Sequence, residues 1–289
     1  MTDNNEEFST TETVKICPVC QWHDIQIGFQ PDIYQCLRCD LYFRNPRPTQ
    51  EEIVRSYNTG AVYKSWQENS SGRDILWQHR LNLILPHIKS GKLLDIGTGD
   101  AHFLDFAKKH FNTLGTDVSQ TAAQYALNRR HKILVSSISE YQFINDQFDV
   151  ITMWHVLEHL PDPGESLKIV FRLLKTNGIF VLAIPNELFP ITKNRLKKLI
   201  GFGPGSPFAF LKFNNEVHLS YFIPKTIKSA LDRAGFKILK TGVDDVYSRR
   251  TVRNRFVYYI SKAIYPLLGK FHFENAMYII CQKRSIYNI

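Results

Sequence analysis

From Lys92 onward, short apolar runs alternate with segments whose apolar residues recur at helical spacing. The runs Lys92–Ile96, Thr113–Val118, Lys132–Ser136, Phe148–Met153 and Ile179–Ile184 predict strands. Ala101–His110, Gln120–Arg130 and Gly164–Lys175 predict the helices between them. The strands are nearly continuous in apolar residues, as strands covered on both faces are. Regular alternation of this kind predicts an α/β fold built on a doubly wound, Rossmann-like parallel sheet. Upstream, Arg73–Ile88 places Ile75, Leu76, His79, Leu83 and Leu85 at near-helical spacing. Thr49, followed by Glu51 and Glu52, marks a helix start leading through Ile53 and Tyr57.

These patterns divide the chain. Residues 1–15 are polar and predict a disordered tail; 16–45 hold four of the five cysteines; 46–90, opened by Pro46 and Pro48, predict a helical linker; 91–289 form the main domain. That domain is interrupted at 187–223 by a segment with Lys193, Arg195, Lys197, Lys198 and the turn Gly201 to Gly205, read as a lid or substrate insertion. Arg253–Leu268 carries Phe256, Ile260, Ala263, Ile264 and Leu267 as an apolar stripe. A core-packed helix is expected there, with a peripheral membrane contact as the alternative.

Composition narrows the function classes. The 289 residues are 44% hydrophobic and 22% charged, which excludes a disordered or fibrous chain. No run reaches the roughly 18 to 20 apolar residues of a membrane span. The opening Met1–Thr13 carries Asp3, Glu6, Glu7 and Glu12 without Lys or Arg, the reverse of a signal peptide, so a cytoplasmic protein is expected. Net charge is +9, but 18 Lys and Arg against 6 Asp and Glu fall from Glu187 onward, leaving the first 186 residues at −3. A basic C-terminal part points to a phosphorylated substrate, nucleic acid, an anionic membrane surface or a solvated face.

Cys17-Pro-Val-Cys20 and Cys36-Leu-Arg-Cys39 are two Cys-x2-Cys pairs separated by 15 residues. Two such knuckles complete a closed tetrahedral site, so structural zinc on Cys17, Cys20, Cys36 and Cys39 is expected; two disulfides are the rival, disfavoured in a reducing compartment. Zinc restricted to its own module would leave ligand binding in the main domain largely unaffected by metal loss. Cys281, in an apolar run, reads as a small buried hydrophobe.

Candidate chemistry starts at the end of the first strand, Leu94-Asp95-Ile96-Gly97-Thr98-Gly99-Asp100-Ala101. Glycines at a strand-to-helix turn admit a ligand to the backbone at the carboxyl edge of an open sheet. The third glycine of a dinucleotide fingerprint is His102 here, and the preceding acid suits a cationic ligand better than a pyrophosphate. Asp117, 22 residues beyond Asp95, ends the second strand, where a carboxylate can take both hydroxyls of a ribose.

These residues resemble the class I S-adenosylmethionine-dependent methyltransferases, which have a seven-stranded sheet and a first motif Asp/Glu-x-Gly-x-Gly-x-Gly. Here Ala101 replaces the last glycine. Phe148-Asp149-Val150-Ile151-Thr152-Met153-Trp154-His155-Val156-Leu157-Glu158-His159-Leu160-Pro161-Asp162-Pro163 is similar to the family's fourth-strand block, and Leu173-Leu174-Lys175-Thr176-Asn177-Gly178-Ile179 to its fifth-strand entry. The cysteine module with Leu41 to Thr49, and later His218-Leu219-Ser220-Tyr221-Phe222 and Ala234-Gly235-Phe236, resembles bacterial methyltransferases of sugar and polysaccharide biosynthesis. The resemblance implies S-adenosylmethionine as cofactor, with Gly97, Thr98 and Gly99 under its methionine part and Asp95 at its amino end. Asp117 falls at the ribose, Val118, Ser137 and Ile138 at the adenine, and Trp154 and His155 complete the pocket.

Methyl transfer needs an in-line approach and, for some acceptors, a base. His155, Glu158, His159 and His218 are the candidates; a helix after the fourth strand would put the first three on one face. His218 is the favoured base, arriving from the substrate side, while Val217 separates Glu216 from it. The expected acceptor is a small anionic molecule, a nucleotide-linked sugar or glycan precursor first. RNA, which the sequence disfavours for want of an aromatic and basic platform, and a quinone-like or lipid substrate are the alternatives.

Overall fold

The structure, a computed structural model, describes residues 8–60, 70–140, 147–188, 191–192, 217–244 and 276–284. In chain order the strands and helices are β1 (Thr11–Glu12), β2 (Ile25–Gln30), β3 (Ile33–Cys36), β4 (Tyr42–Arg44), β5 (Arg47–Pro48), α1 (Gln50–Asn58), α2 (Ser70–Ile84), β6 (Gly91–Ile96), α3 (His102–Ala107) and β7 (Phe111–Asp117). There follow α4 (Gln120–Asn128), β8 (Ile133–Val135), β9 (Phe148–Trp154), α5 (Pro163–Leu173), β10 (Leu174–Pro185), β11 (Ser220–Tyr221), α6 (Pro224–Arg233), β12 (Phe236–Val243) and β13 (Ala276–Lys283). The helix starts have local causes: Thr49 caps α1 through Glu52 N, Ser119 caps α4 through Ala122 N, and Pro163 opens α5.

The main sheet has seven strands in the order β12-β13-β10-β9-β6-β7-β8. The five strands read from the sequence are all present and parallel, but the sheet as a whole is mixed, because β13 runs antiparallel to both β10 and β12. A continuous apolar run signals burial on both faces, not strand direction; six of the eight β13 residues are buried, Cys281 among them. Each face of the sheet has its own core. One packs Leu81, Leu83, Phe103, Leu104 and Ala126 of α2, α3 and α4 against the strands. The other packs Leu167 of α5 and Leu231 of α6 together with Cys17, Val19, Cys36, Cys39, Leu41 and Phe43.

The cysteine module is therefore part of the domain rather than an appendage. Its three strands continue into a fourth from the far side of the insertion, in the order β11-β4-β3-β2. Thr226 Oγ1 donates to Cys39 O, Gly164 N donates to Pro18 O, and a Cβ on Gly164 would lie 2.4 Å from Val19 O. The tail expected to be disordered is tied down from Thr11: β1 pairs antiparallel with β5, and Val14 N donates to Asn45 Oδ1. No described helix is long and apolar enough to cross a membrane. The basic segment Lys193–Gly205, Glu216 and the stripe Arg253–Leu268 lie outside the described residues.

Candidate active site

The turn after β6 is shaped by two acids. Asp95 is buried and accepts hydrogen bonds from Thr98 Oγ1 at 2.8 Å and Thr152 Oγ1 at 2.6 Å, joining the turn to β9. Burial pushes its carboxyl up to about 7 against those two donors. Asp117, at the end of β7, accepts from Gly99 N and from Ser119 N, each at 2.9 Å, and burial raises its pKa as well. Gly97 has φ +68°, and a Cβ there would lie 2.4 Å from Val156 Cγ2, so bare backbone is required. The last glycine position of the motif, Ala101, keeps the left-handed backbone, φ +58°, that a glycine would adopt without strain.

A cavity of about 540 Å³ opens over this turn. Gly97, Gly99, Asp117, Val118, Ser137, Ile138, Trp154 and His155, the residues the resemblance implies for the cofactor, all line it. Asp95 and Thr98 do not: Asp95 accepts from Thr98 and from Thr152, so the pair braces the turn from behind the cavity wall. The opposite wall was not foreseen. It comes from the chain around α1, with Arg47, Thr49, Ile53 and Tyr57 facing the cavity. Asn58 fixes this helix to the start of α4, accepting from Ser119 Oγ and Gln120 N. No local pattern marks these residues as ligand-facing; only the docking of α1 brings them there.

Beyond β9 the chain forms a single 3-10 turn, Leu157–His159, in place of the expected helix, and His155 enters it with φ +57°. His155 and Glu158 still meet: Nδ1 lies 3.4 Å from Glu158 Oε1, while Nε2 lies 3.3 Å from Asp244 Oδ2. Burial works against a charge on His155, but the two carboxylates prevail and hold its pKa at about 9, so it is an imidazolium at neutral pH. Asp244 is in turn paired with Arg80, at 2.5 Å to Nη2 and 3.2 Å to Nε. The Arg80 guanidinium carbon sits 4.7 Å from the ring centroids of both Trp77 and Trp154. Arg80 and Asp244 are 164 residues apart, and nothing in the sequence around either signals the pair.

His159 lines the cavity and donates from Nδ1 to Val217 O at 2.6 Å. His218 stands edge-on to it, with ring centroids 4.8 Å apart, and burial with the neighbouring His159 pushes its pKa down to about 4. His218 is not among the described residues of the cavity wall; the sequence expected it to face the acceptor, but it lies against His159 instead. The backbone beside it is held from two sides, since Leu219 N donates to Glu158 O of the turn after β9 and Leu219 O accepts from Arg44 N of the cysteine module. Glu187, half-buried and close to the Glu158 charge, is pushed up to about 7 by desolvation and that neighbour.

The four module cysteines converge. Cys17 Sγ lies 3.6 Å from Cys39 Sγ and Cys20 Sγ 3.5 Å from Cys36 Sγ, with all four sulfurs within 4.8 Å of one another. Thiolates about 2.3 Å from a tetrahedral zinc stand roughly 3.8 Å apart, so the set fits that ion. These sulfur separations also exceed the roughly 2.05 Å of a disulfide bond, and all four cysteines are free.

A family model described as a methyltransferase domain matches residues 71–241. The chain is 27% identical over 123 residues to an uncharacterized protein of Methanocaldococcus jannaschii, covering 42% of this chain and 57% of that protein. It is 31% identical over 106 residues to a ubiquinone biosynthesis O-methyltransferase of Pseudomonas aeruginosa, covering 33% of this chain and 45% of the relative. The chain thus spans about half the length of these curated relatives. In fold it is similar to a SAM-dependent methyltransferase from Archaeoglobus fulgidus, with a TM-score of 0.52 and 20% identity over 77% of this chain and 99% of that one.

Proposed function

The chain belongs to the methyltransferase-domain family and has the fold of S-adenosylmethionine-dependent methyltransferases; from that premise we propose that it methylates a small anionic acceptor, with a nucleotide-linked sugar or glycan precursor the leading choice. The observation that carries this reading is the shared cavity, in which eight cofactor-side residues face a wall built by α1 and the segment before it. A site walled on that side suits a small molecule inserted beside the cofactor better than a folded polymer.

The residues fit S-adenosylmethionine. Gly97 and Gly99 offer backbone without side chains, Asp117 offers a buried carboxylate to ribose hydroxyls, and Val118 and Ile138 offer apolar surface to a purine. The cofactor supplies a methyl group already activated on a sulfonium, so most of the protein's contribution is positioning. Asp95 and the two threonines hold the turn in place. His155, fixed by Asp244 and Glu158, brings a positive charge to the cavity wall at neutral pH. We assign loss of the acceptor's proton to the cluster Glu158, His159 and His218, with His159 at the wall. The four cysteines are assigned to structural zinc, whose closed sulfur set leaves no position for chemistry.

An anionic acceptor is supported by the net +12 from Glu187 onward. A quinone-like acceptor is the second reading, supported by the similarity to the ubiquinone O-methyltransferase. Incubation with methyl-labelled S-adenosylmethionine and matched panels of nucleotide-linked sugars and catechol-type quinone precursors, read by mass spectrometry, separates them. Label in a sugar nucleotide is expected; label only in a quinone precursor replaces the first reading with the second, and label in neither refutes both.

A further inference from the structure

The cluster after β9 has a property that proton transfer alone does not use. Glu158 is 1% exposed, yet neither of its oxygens accepts a hydrogen bond among the described residues; its nearest cationic neighbour is His155 Nδ1 at 3.4 Å. On the other side are two more imidazoles. His159 Nε2 lies 4.0 Å from Glu158 Oε1. The bond from His159 Nδ1 to Val217 O selects the tautomer that leaves Nε2 its lone pair, which is how metal-binding imidazoles are oriented. His218 completes the set, with one ligand atom from each of the three residues within 4.8 Å of the others.

We propose that Glu158, His159 and His218 form a second metal site, separate from the cysteines, for a divalent transition cation such as Zn2+, Co2+ or Mn2+. Two imidazoles and one carboxylate are a donor set for such ions, whereas Mg2+ and Ca2+ prefer oxygen alone. The geometry is near what is needed. Nitrogen and oxygen ligands about 2.0 to 2.1 Å from a metal stand roughly 3.0 to 3.4 Å apart, so small side-chain rotations close the set. Asp244 keeps His155 paired when Glu158 turns to the cation. A cation also removes the penalty of a buried carboxylate that accepts no hydrogen bond.

His159 lines the cavity, so a cation held by it would border that space. There it would draw electron density from an acceptor oxygen and lower the pKa of its proton, which would then leave to solvent, since the two imidazoles and the carboxylate would serve as ligands in place of the base role assigned above. Only this use rests on the proposed methyl transfer; the binding of the cation does not.

The test titrates the full-length chain, its cysteine site filled with zinc, with Co2+ and follows the visible absorption. The expected result is one further Co2+ per chain, with the d–d bands of nitrogen and oxygen ligands and no thiolate charge-transfer band. The isosteric Glu158→Gln variant and the less buried His218→Ala variant should each weaken binding by roughly tenfold or more. Circular dichroism and S-adenosylmethionine calorimetry on the same samples check folding and the cofactor face separately. No saturable Co2+ beyond the zinc, a thiolate band, or equal binding by wild type and a folded variant overturns the proposal.

Discussion

Replacing Asp117 by Asn tests the cofactor face with little change in shape. Oδ1 and Oδ2 each accept a backbone N–H at 2.9 Å, from Ser119 and Gly99, so both sides of the carboxylate are acceptors. An amide has one acceptor, and its NH2 must face Gly99 N–H, Ser119 N–H or a ribose hydroxyl. Losing one charge-assisted bond costs about 1.5 to 3 kcal/mol, which lowers S-adenosylmethionine affinity roughly 10- to 100-fold. Folding should suffer less than binding, because removing a buried charge refunds part of its desolvation. The pH dependence adds an independent check. Because burial raises the pKa of Asp117, wild-type affinity should fall on acidification through that raised value, and the Asn variant should show a flatter profile. Isothermal calorimetry with a thermal-melt control reads both quantities. A folded Asp117→Asn protein that binds the cofactor within a factor of about three of wild type refutes the assignment.

The double variant Cys36→Ser Cys39→Ser should lose its zinc and also lower the melting temperature of the entire chain, since these cysteines share a core with Leu167 and Leu231. A cofactor-binding core that melts unchanged would restore the picture of an independent module. Asp95→Asn should change the pH dependence of stability in a defined direction. The folded-state pKa of Asp95, about 7 against an ordinary 3.8, means the folded protein binds the proton more tightly, so wild-type stability declines as pH rises through that window. The variant, compared by denaturant unfolding at several pH values, should decline less there; parallel curves would contradict the shift. Arg80→Met should cost up to about 3 kcal/mol, because it leaves buried Asp244 with His155 as its remaining cationic partner among the described residues, whereas Arg80→Met Asp244→Leu should recover much of the loss. Urea denaturation of both variants decides it, and a single variant as stable as wild type would show the pair to be dispensable.

What the sequence disclosed was whatever successive strand–turn–helix units encode locally. The Gly97–Gly99 turn, Asp117 and the edge at Ser137 and Ile138 follow three successive strands, so their places at one sheet edge come from the alternation itself. The readings that needed revision depend on partners far along the chain. Asp95 reads as a ligand-facing acid until Thr152, 57 residues away, is seen to occupy it. His155 reads as one face of a helix, yet its charge is set by Asp244, 89 residues on. The antiparallel course of β13 has no signature in composition, and the left-handed conformation of His155 has no local sign, whereas that of Ala101 follows from the glycine position it occupies in the motif.

The pairing of β4 with β11 also dictates an order of events during synthesis. Ser220 and Tyr221 lie opposite Phe43 and Tyr42, and the bond from Thr226 to Cys39 spans 187 residues. A ribosome therefore finishes the cysteine knuckles first but cannot supply their fourth strand until most of the chain has emerged. In the interval β4 presents an unpaired edge, the kind of surface on which nascent chains mispair. Closing a loop of that size is slow, so the contact that sets His218 beside His159 is expected to form late in folding.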